Sequence, residues 1–383
     1  MDIATVRQLF AGRFGAAGSA YASPGRINLI GEHTDYNGGF VFPGAIDKCI
    51  VAEIKPNGTK VVRAMAVNEN NACAEFGLSE ADIPQARWAR YIFGVCREII
   101  KRGYQIGGFD AVFAGNVPLG AGMSSSAALE STFAFALNDI FGLGIDKFEL
   151  ARIGQATEHN YVGVKCGIMD QFASIFGKAG NLMLLDCRSL EHKYYPFNPA
   201  GYKLALLDTC VEHVLVDNPY NKRRESCERA AAAIRANHPQ VTFLRDATHQ
   251  MLEEVKSSIS SEDYMRAKYV IDEVERVMNV CAALEQADYE TVGENMYGTH
   301  EGMSKLYEVS CPELDFLNDA ARRCGVAGSR VMGGGFGGCT INLVKEDLYE
   351  AFVAEAFAAY KAKFGKEPKL YDVVISDGAR KLD

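Results

Sequence analysis

Three short stretches gather residues able to do chemistry. The first, Ser23-Pro24-Gly25-Arg26-Ile27-Asn28-Leu29-Ile30-Gly31-Glu32-His33-Thr34-Asp35-Tyr36, packs an arginine, two carboxylates and a histidine into one turn-rich segment, in a chain with only 7 histidines. Such a density of donors and acceptors suits a polyhydroxylated ligand, because each buried hydroxyl must be paired. Taken singly, His33 is more often a satisfied structural histidine, and Asp35 could be a turn residue ahead of Asn37-Gly38.

The second stretch is Val117-Pro118-Leu119-Gly120-Ala121-Gly122-Met123-Ser124-Ser125-Ser126-Ala127-Ala128, a glycine-bearing loop that runs into a helix. Its glycines let the backbone approach an anion, and the unpaired N–H groups of the helix start face that anion with a favourable dipole. The serines add hydroxyl donors, one of which could serve as a metal ligand. A plain serine-capped helix after a tight turn is the alternative. No Gly-Lys-Ser/Thr follows, so this is not a Walker A loop. The third stretch, Arg330-Val331-Met332-Gly333-Gly334-Gly335-Phe336-Gly337-Gly338-Cys339-Thr340, holds a formal Gly-x-Gly-x-x-Gly. A strand rather than a helix is expected after it, which argues against a dinucleotide fold. Its glycines instead imply a loop forced close to another backbone or to a ligand.

The elements that must position these stretches can be read from periodicity. Val41 to Arg63 reads as strands joined by a hairpin at Asn57-Gly58. Ser124 to Asn138 reads as a helix, with Leu129, Phe133 and Leu137 four apart and Gly142 beyond its end, and a second helix is expected from Lys147 to Tyr161. Asn181 to Asp186 and Tyr202 to Asp208 read as strands around the turn Asn198-Pro199-Ala200-Gly201. Asn221 to about Met303 is a mainly helical layer. Cys339 to Val344 reads as a strand, Asp347 to Phe364 as an amphipathic helix and Leu370 to Ile375 as a final strand.

Bulk properties narrow the class. At 383 residues the chain exceeds what one core usually serves, so two domains with a cleft between them are expected. A net charge of -9, with Lys222-Arg223-Arg224 as the longest basic run, disfavours nucleic acid. The start, Met1-Asp2-Ile3-Ala4-Thr5, has no leader-like pattern and no segment reaches a membrane span, so a cytoplasmic protein is expected. The 11 cysteines are scattered and never spaced Cys-x-x-Cys, which suggests neither disulfides nor a zinc site.

Residues 26–36 resemble the signature of the galactokinase family, residues 118–127 resemble the phosphate loop of the wider GHMP kinase superfamily, and residues 332–338 resemble its third motif, in matching order and spacing. Met123 stands where leucine is usual, a volume-conserving change. The resemblance implies an α+β fold of two GHMP domains. These are a ribosomal-protein-S5-domain-2-like one over residues 1–195 and a ferredoxin-like one over residues 196–383, with about 368–383 returning to the first and the active site in the cleft. It implies transfer of the terminal phosphate of ATP to the C1 hydroxyl of galactose, with Mg2+, in a monomer. The related alternatives are a kinase of N-acetylgalactosamine or arabinose, or a non-catalytic galactose and ATP sensor. Such sensors lose part of a Ser-Ala step that Ser126-Ala127 retains here.

Residue by residue, the resemblance makes Asp170, in Cys166-Gly167-Ile168-Met169-Asp170-Gln171, the base for the sugar hydroxyl, although local physics alone gives a first-turn helix carboxylate. Arg26 becomes its partner and a stabiliser of the moving phosphoryl group. Glu32, His33, Asp35, Gly167, Asp170 and Tyr220 become the sugar site, with Asp35 reading the axial hydroxyl. Gly120, Ala121, Gly122, Met123, Ser124, Ser125 and Ser126 become the ATP loop, and Ser126 with Glu158 the magnesium ligands. Trp88 is expected either near adenine or as a half-buried structural residue.

Overall fold

A computed structural model of the chain describes residues 3–15, 17–211 and 219–382. Among these, the strands are β1 (Ser19–Asn28), β2 (Phe40–Val41), β3 (Pro43–Pro56), β4 (Val62–Ala66), β5 (Ala72–Phe76), β6 (Phe109–Gly115), β7 (Asn181–Asp186), β8 (His192–Pro196), β9 (Tyr202–Asp208), β10 (Gly328–Val331), β11 (Cys339–Lys345), β12 (Lys369–Tyr371) and β13 (Arg380–Lys381). The helices are α1 (Ile3–Phe14), α2 (Arg87–Lys101), α3 (Ser125–Ile140), α4 (Lys147–Thr157), α5 (Met169–Phe176), α6 (Pro219–Asn237), α7 (His249–Glu254), α8 (Ser261–Glu285), α9 (Tyr289–Lys305), α10 (Pro312–Arg323) and α11 (Tyr349–Phe364).

Among the described strands every pairing except β4 with β6 is antiparallel, which makes the architecture α+β rather than α/β. One sheet runs β13-β1-β3-β6-β4-β5, a second runs β10-β11-β9-β12, and a third runs β2-β7-β8. The chain's end divides between the first two: β12 pairs with β9, while β13 pairs with β1. The last strand is therefore β13, and the strand expected over Leu370 to Ile375 shortens to β12 plus one bridge from Ile375 to Ile46.

The hairpin expected at Asn57-Gly58 does not form. β3 and β4 are both strands, but β6 lies between them, antiparallel to β3 and parallel to β4. The turn instead receives the start of β6: Asn57 N–H donates to Gly108 O at 3.1 Å and Gly108 N–H to Thr59 O at 2.7 Å. A Cβ on Gly108 would lie 2.3 Å from Val61 O, so glycine there permits the crossing. The local turn chemistry was right and the pairing it normally implies was overridden by a strand arriving some fifty residues later.

α3 is buried nearly all round, with Ala127 to Ala134 all enclosed between the first sheet and the neighbours α2, α4 and α5. Such all-round burial marks a central helix. α4 starts on a true cap, with Asp146 accepting from Glu149 N–H. It ends four residues before the expected Tyr161 and continues as a π-turn, Glu158–Val162, closed by Gly163 at φ 87°. Turns of this kind occur mostly at functional positions.

Candidate active site

The site begins at an irregularity in β1. Its register with β3 shifts between Pro24 and Arg26, and such a bulge re-aims the side chain that follows. Arg26 N–H donates to Met123 O at 3.1 Å, which zips β1 to the serine-rich loop. A Cβ at Gly25 would come within 2.4 Å of that same carbonyl, so only glycine allows the approach. Arg26 then points at Asp170, in the first turn of α5: Nε donates to Oδ1 at 2.8 Å and Nη2 to Oδ2 at 3.0 Å. Its Nη1 donates to Gly122 O. Burial works against the guanidinium charge, but Asp170, Glu32 and Asp35 together hold it above its ordinary value.

Ser124 departs from the capping role its position suggests. It sits at the start of α3 with φ 58° and makes no side-chain cap bond. Its hydroxyl donates instead to Asp170 Oδ2. Strained residues of this kind concentrate where function requires them.

A cavity of about 210 Å³ opens on this pair. Arg26, Glu32, His33, Asp35, Ser126, Glu158, Gly167, Asp170 and Tyr220 all line it, so the sequence-derived residues from both early and late segments converge. Of the serine-rich loop only Ser126 lines this cavity; Ala121 and Met123 are buried behind it. Arg87, Tyr91, Val164, Cys166, Met169, Gln171, Gly333 and Gly334 also contribute, and sequence reasoning named none of them for the site. Arg87 and Tyr91 stand one helical turn apart at the start of α2, a spacing with no distinctive signal.

Electrostatics separates the acids. Glu32 is buried and tied to the fold through one oxygen: its Oε1 accepts from Arg330 Nη1 at 3.0 Å and from Gly333 N–H at 2.8 Å. Arg330 is itself fully buried and also donates to Leu29 O and Asn28 O, tying the third motif to the first. Asp35 opens a short helical turn and accepts from Tyr36 N–H at 2.9 Å. Burial, then the nearby Asp170, push its carboxyl up to about 7. Burial likewise raises Glu158 to about 7, against a hydrogen bond from Ser126.

His33 has φ 62° and is buried, which pushes its imidazole down to about 3. The ring is therefore neutral at pH 7. Gly334 O, 3.2 Å from Nε2, can only accept, so Nε2 carries the proton and Nδ1 accepts from Tyr36 Oη at 2.7 Å. Tyr36 in turn lies 2.8 Å from Tyr307 Oη. Tyr220, at the start of α6, places its ring 5.4 Å from that of His33.

The third glycine stretch packs against backbone as well as ligand space. A Cβ at Gly333 would lie 3.2 Å from Gly122 O, one at Gly338 3.1 Å from Gly120 O, and one at Gly335 2.2 Å from Val309 O. The motif is thus a buttress behind the serine-rich loop. Trp88 is half-buried with its ring 5.5 Å from Phe113. No group of three or more His, Cys, Asp or Glu that could hold a metal occurs among the described residues.

Family models place the chain among the GHMP kinases. The GHMP kinases N terminal domain matches residues 90–178, the GHMP kinases C terminal domain residues 281–363, and the galactokinase galactose-binding signature residues 8–56. The galactokinase of Thermotoga maritima is 37% identical over 94% of this chain and 99% of its own length, and that of Clostridium beijerinckii is 41% identical over 96% and 95%. The crystal structure of Lactococcus lactis galactokinase complexed with galactose superposes with a TM-score of 0.94 at 32% identity, covering 99% of this chain and 100% of that one. A Methanococcus jannaschii mevalonate kinase, at 19% identity and a TM-score of 0.62 over 95% of this chain and 99% of its own, shares the fold. The chain belongs to the galactokinase family.

Proposed function

We propose that this chain transfers the terminal phosphate of ATP to the C1 hydroxyl of α-D-galactose, giving galactose 1-phosphate and ADP, the first committed step of galactose breakdown. The observation that carries the proposal is the bidentate Arg26–Asp170 pair, with Ser124 as a third partner, opening on a cavity walled by Asp35 and Gly167 on one side and by Ser126 and Glu158 on another.

Asp170 is the base. A carboxylate offers about four lone-pair sites, and Arg26 and Ser124 fill three, which leaves one for the sugar hydroxyl. Transfer has little covalent character for the protein to supply, so alignment of the hydroxyl and neutralisation of charge on the moving phosphoryl carry most of the rate. Arg26 does both. Asp35, His33, Glu32, Gly167 and Tyr220 hold the sugar, with Asp35 bonded to the axial hydroxyl. Since both ring nitrogens of His33 already have protein partners, it contributes chiefly by fixing the wall between Tyr36 and Gly334.

The backbone from Gly120 to Ser126 cradles the nucleotide phosphates at the start of α3. Ser126 and Glu158 fit Mg2+: they offer two hard oxygens, a hydroxyl and the buried carboxyl it hydrogen-bonds, and phosphates and water would complete such a shell. When bound, the ion neutralises charge on the phosphate oxygens. We read the enzyme as a cytoplasmic monomer taking only small molecules, divided near residue 195. All eleven cysteines are free, and no described helix is long and apolar enough to cross a membrane.

A coupled ADP assay with galactose, glucose, N-acetylgalactosamine and arabinose tests the reading. Turnover fastest with galactose and lowest with glucose is expected. ADP release that ignores the sugar, or prefers another member of the panel, contradicts it.

A further inference from the structure

Beneath the reacting groups lies a buried pair that the mechanism does not use. Glu130 on α3 and Gln171 on α5 are each 1% exposed. Gln171 Nε2 donates to Glu130 Oε2 at 3.0 Å. Neither of the remaining oxygens, Glu130 Oε1 and Gln171 Oε1, has a hydrogen-bond partner among the described residues. A third helix makes room for them: a Cβ on Gly154, within α4, would lie 2.7 Å from Gln171 Cγ and 3.3 Å from Glu130 Oε2. Glycine inside a helix costs roughly 0.5–1 kcal/mol relative to alanine, so a packing reason for it is expected.

The two orphaned oxygens are complementary only if one of them carries a proton. An ionised Glu130 would leave two acceptors buried and unpaired, each costing on the order of 1–3 kcal/mol. A protonated Glu130 can donate from Oε1 to the Gln171 oxygen while its Oε2 keeps the amide bond, which closes an acid–amide ring with all four polar atoms satisfied. Burial favours the same state, raising the Glu130 carboxyl well above its ordinary value against the bond from Gln171; Glu158, Asp170, Tyr91 and Cys166 are the other titratable groups that face it. A carboxylic acid kept neutral at pH 7 in an apolar setting acts as a hydrogen-bond donor.

Each helix of this cluster also carries one group of the site. Ser126 lies one turn before Glu130 on α3, Glu158 one turn after Gly154 on the continuation of α4, and Asp170 adjoins Gln171 on α5. We propose that Glu130 is a positioning residue that works as an uncharged acid, joined to Gln171 in a two-bond ring that locks α3 to the first turn of α5 and so fixes Asp170 relative to Ser124 and Ser126. Its neutrality also spares the cleft, already lined by Glu32, Asp35, Glu158 and Asp170, a further negative charge where a polyanion must bind.

The positioning half of this inference rests on Asp170 acting as base; the protonation half does not, and two readouts keep them apart. In the infrared difference spectrum of wild type minus E130Q at pH 7, without substrates, a protonated-acid carbonyl band belonging to the wild type is expected. Its absence overturns the inference whatever the enzyme's reaction. In steady-state kinetics E130A should lower kcat by roughly 10- to 100-fold, the scale of a misplaced reacting group, with KM for galactose within about threefold. E130Q should rescue most of that loss, because an amide–amide pair closes the same ring. Q171E should lose activity, since two facing acids need a second proton, and the swap E130Q/Q171E should recover it, a comparison that stands even if E130A does not fold. E130Q as impaired as E130A, or a swap no better than Q171E, overturns the inference.

Discussion

Replacing Gly167 by alanine tests the sugar wall without removing any polar group. A Cβ at this position would lie 2.0 Å from both Asp35 Cγ and Oδ2, and 2.6 Å from its Cβ. Ordinary carbon contact begins near ~3.5 Å, so the Asp35 carboxylate must recede by roughly 1.5 Å. Nothing opposes the alanine in the backbone, because Gly167 does not need a positive φ. The clash reaches the Asp35 Cβ as well as its carboxylate, which Tyr36 N–H holds, so G167A should lower the melting temperature and the D35A background should recover most of that loss. Function should respond as well. A displacement of about 1 Å in a group that positions a substrate is worth on the order of 10²-fold. The expected result is a fall of roughly 100-fold in kcat/KM for galactose with KM for ATP changed by less than about threefold. In a D35A background the same substitution should cost almost nothing further, because the two residues share one contact. Wild-type kcat/KM for galactose in G167A, or full additivity of the two losses, would refute the reasoning.

Other perturbations separate the remaining roles. D170N should retain the fold and lower kcat by about 10²–10⁴-fold in the ADP assay, the range for loss of a general base. R330M leaves the buried Glu32 carboxylate without its cation and should destabilise by about 3–5 kcal/mol in chemical denaturation, enough to threaten folding. Asp35 is raised from its ordinary value to about 7 in the native state, so the native state holds the extra proton. Its contribution to stability is therefore present below about pH 4 and lost as pH rises from there to 7. D35N should remove that slope and be more stable than wild type at pH 8 by on the order of 1–2 kcal/mol, allowing for partial solvent screening, while losing galactose affinity.

What the sequence made legible was local. Arg26 to Asp35 and Gly120 to Ser126 each announce themselves within a dozen residues, because a turn or a helix start dictates residue types at short range, whereas Asp170 stands out only through the family resemblance, local physics giving a plain first-turn helix carboxylate. What escaped was long-range. Ser124 reads as a cap until α5, 46 residues later, supplies Asp170 as a stronger acceptor. Glu32 reads as a sugar ligand, but nothing local shows that an arginine 298 residues later binds its Oε1. The glycines of residues 333–338 could be seen to serve a close approach, but not that the approaching backbone is the serine-rich loop. The Asn57 turn failed as a hairpin for the same reason: β6 enters between its strands from outside any local window.

The central claim is that one cavity brings a sugar hydroxyl, Asp170 and the ATP phosphate into line. Phosphorus NMR of the products from ATP, Mg2+ and galactose tests it most directly, run with wild type and D170N in parallel. The account predicts galactose 1-phosphate and ADP in equal amounts from the wild type and a rate lower by at least about 10²-fold from folded D170N. Inorganic phosphate in place of the sugar phosphate, or undiminished product from D170N, would contradict it.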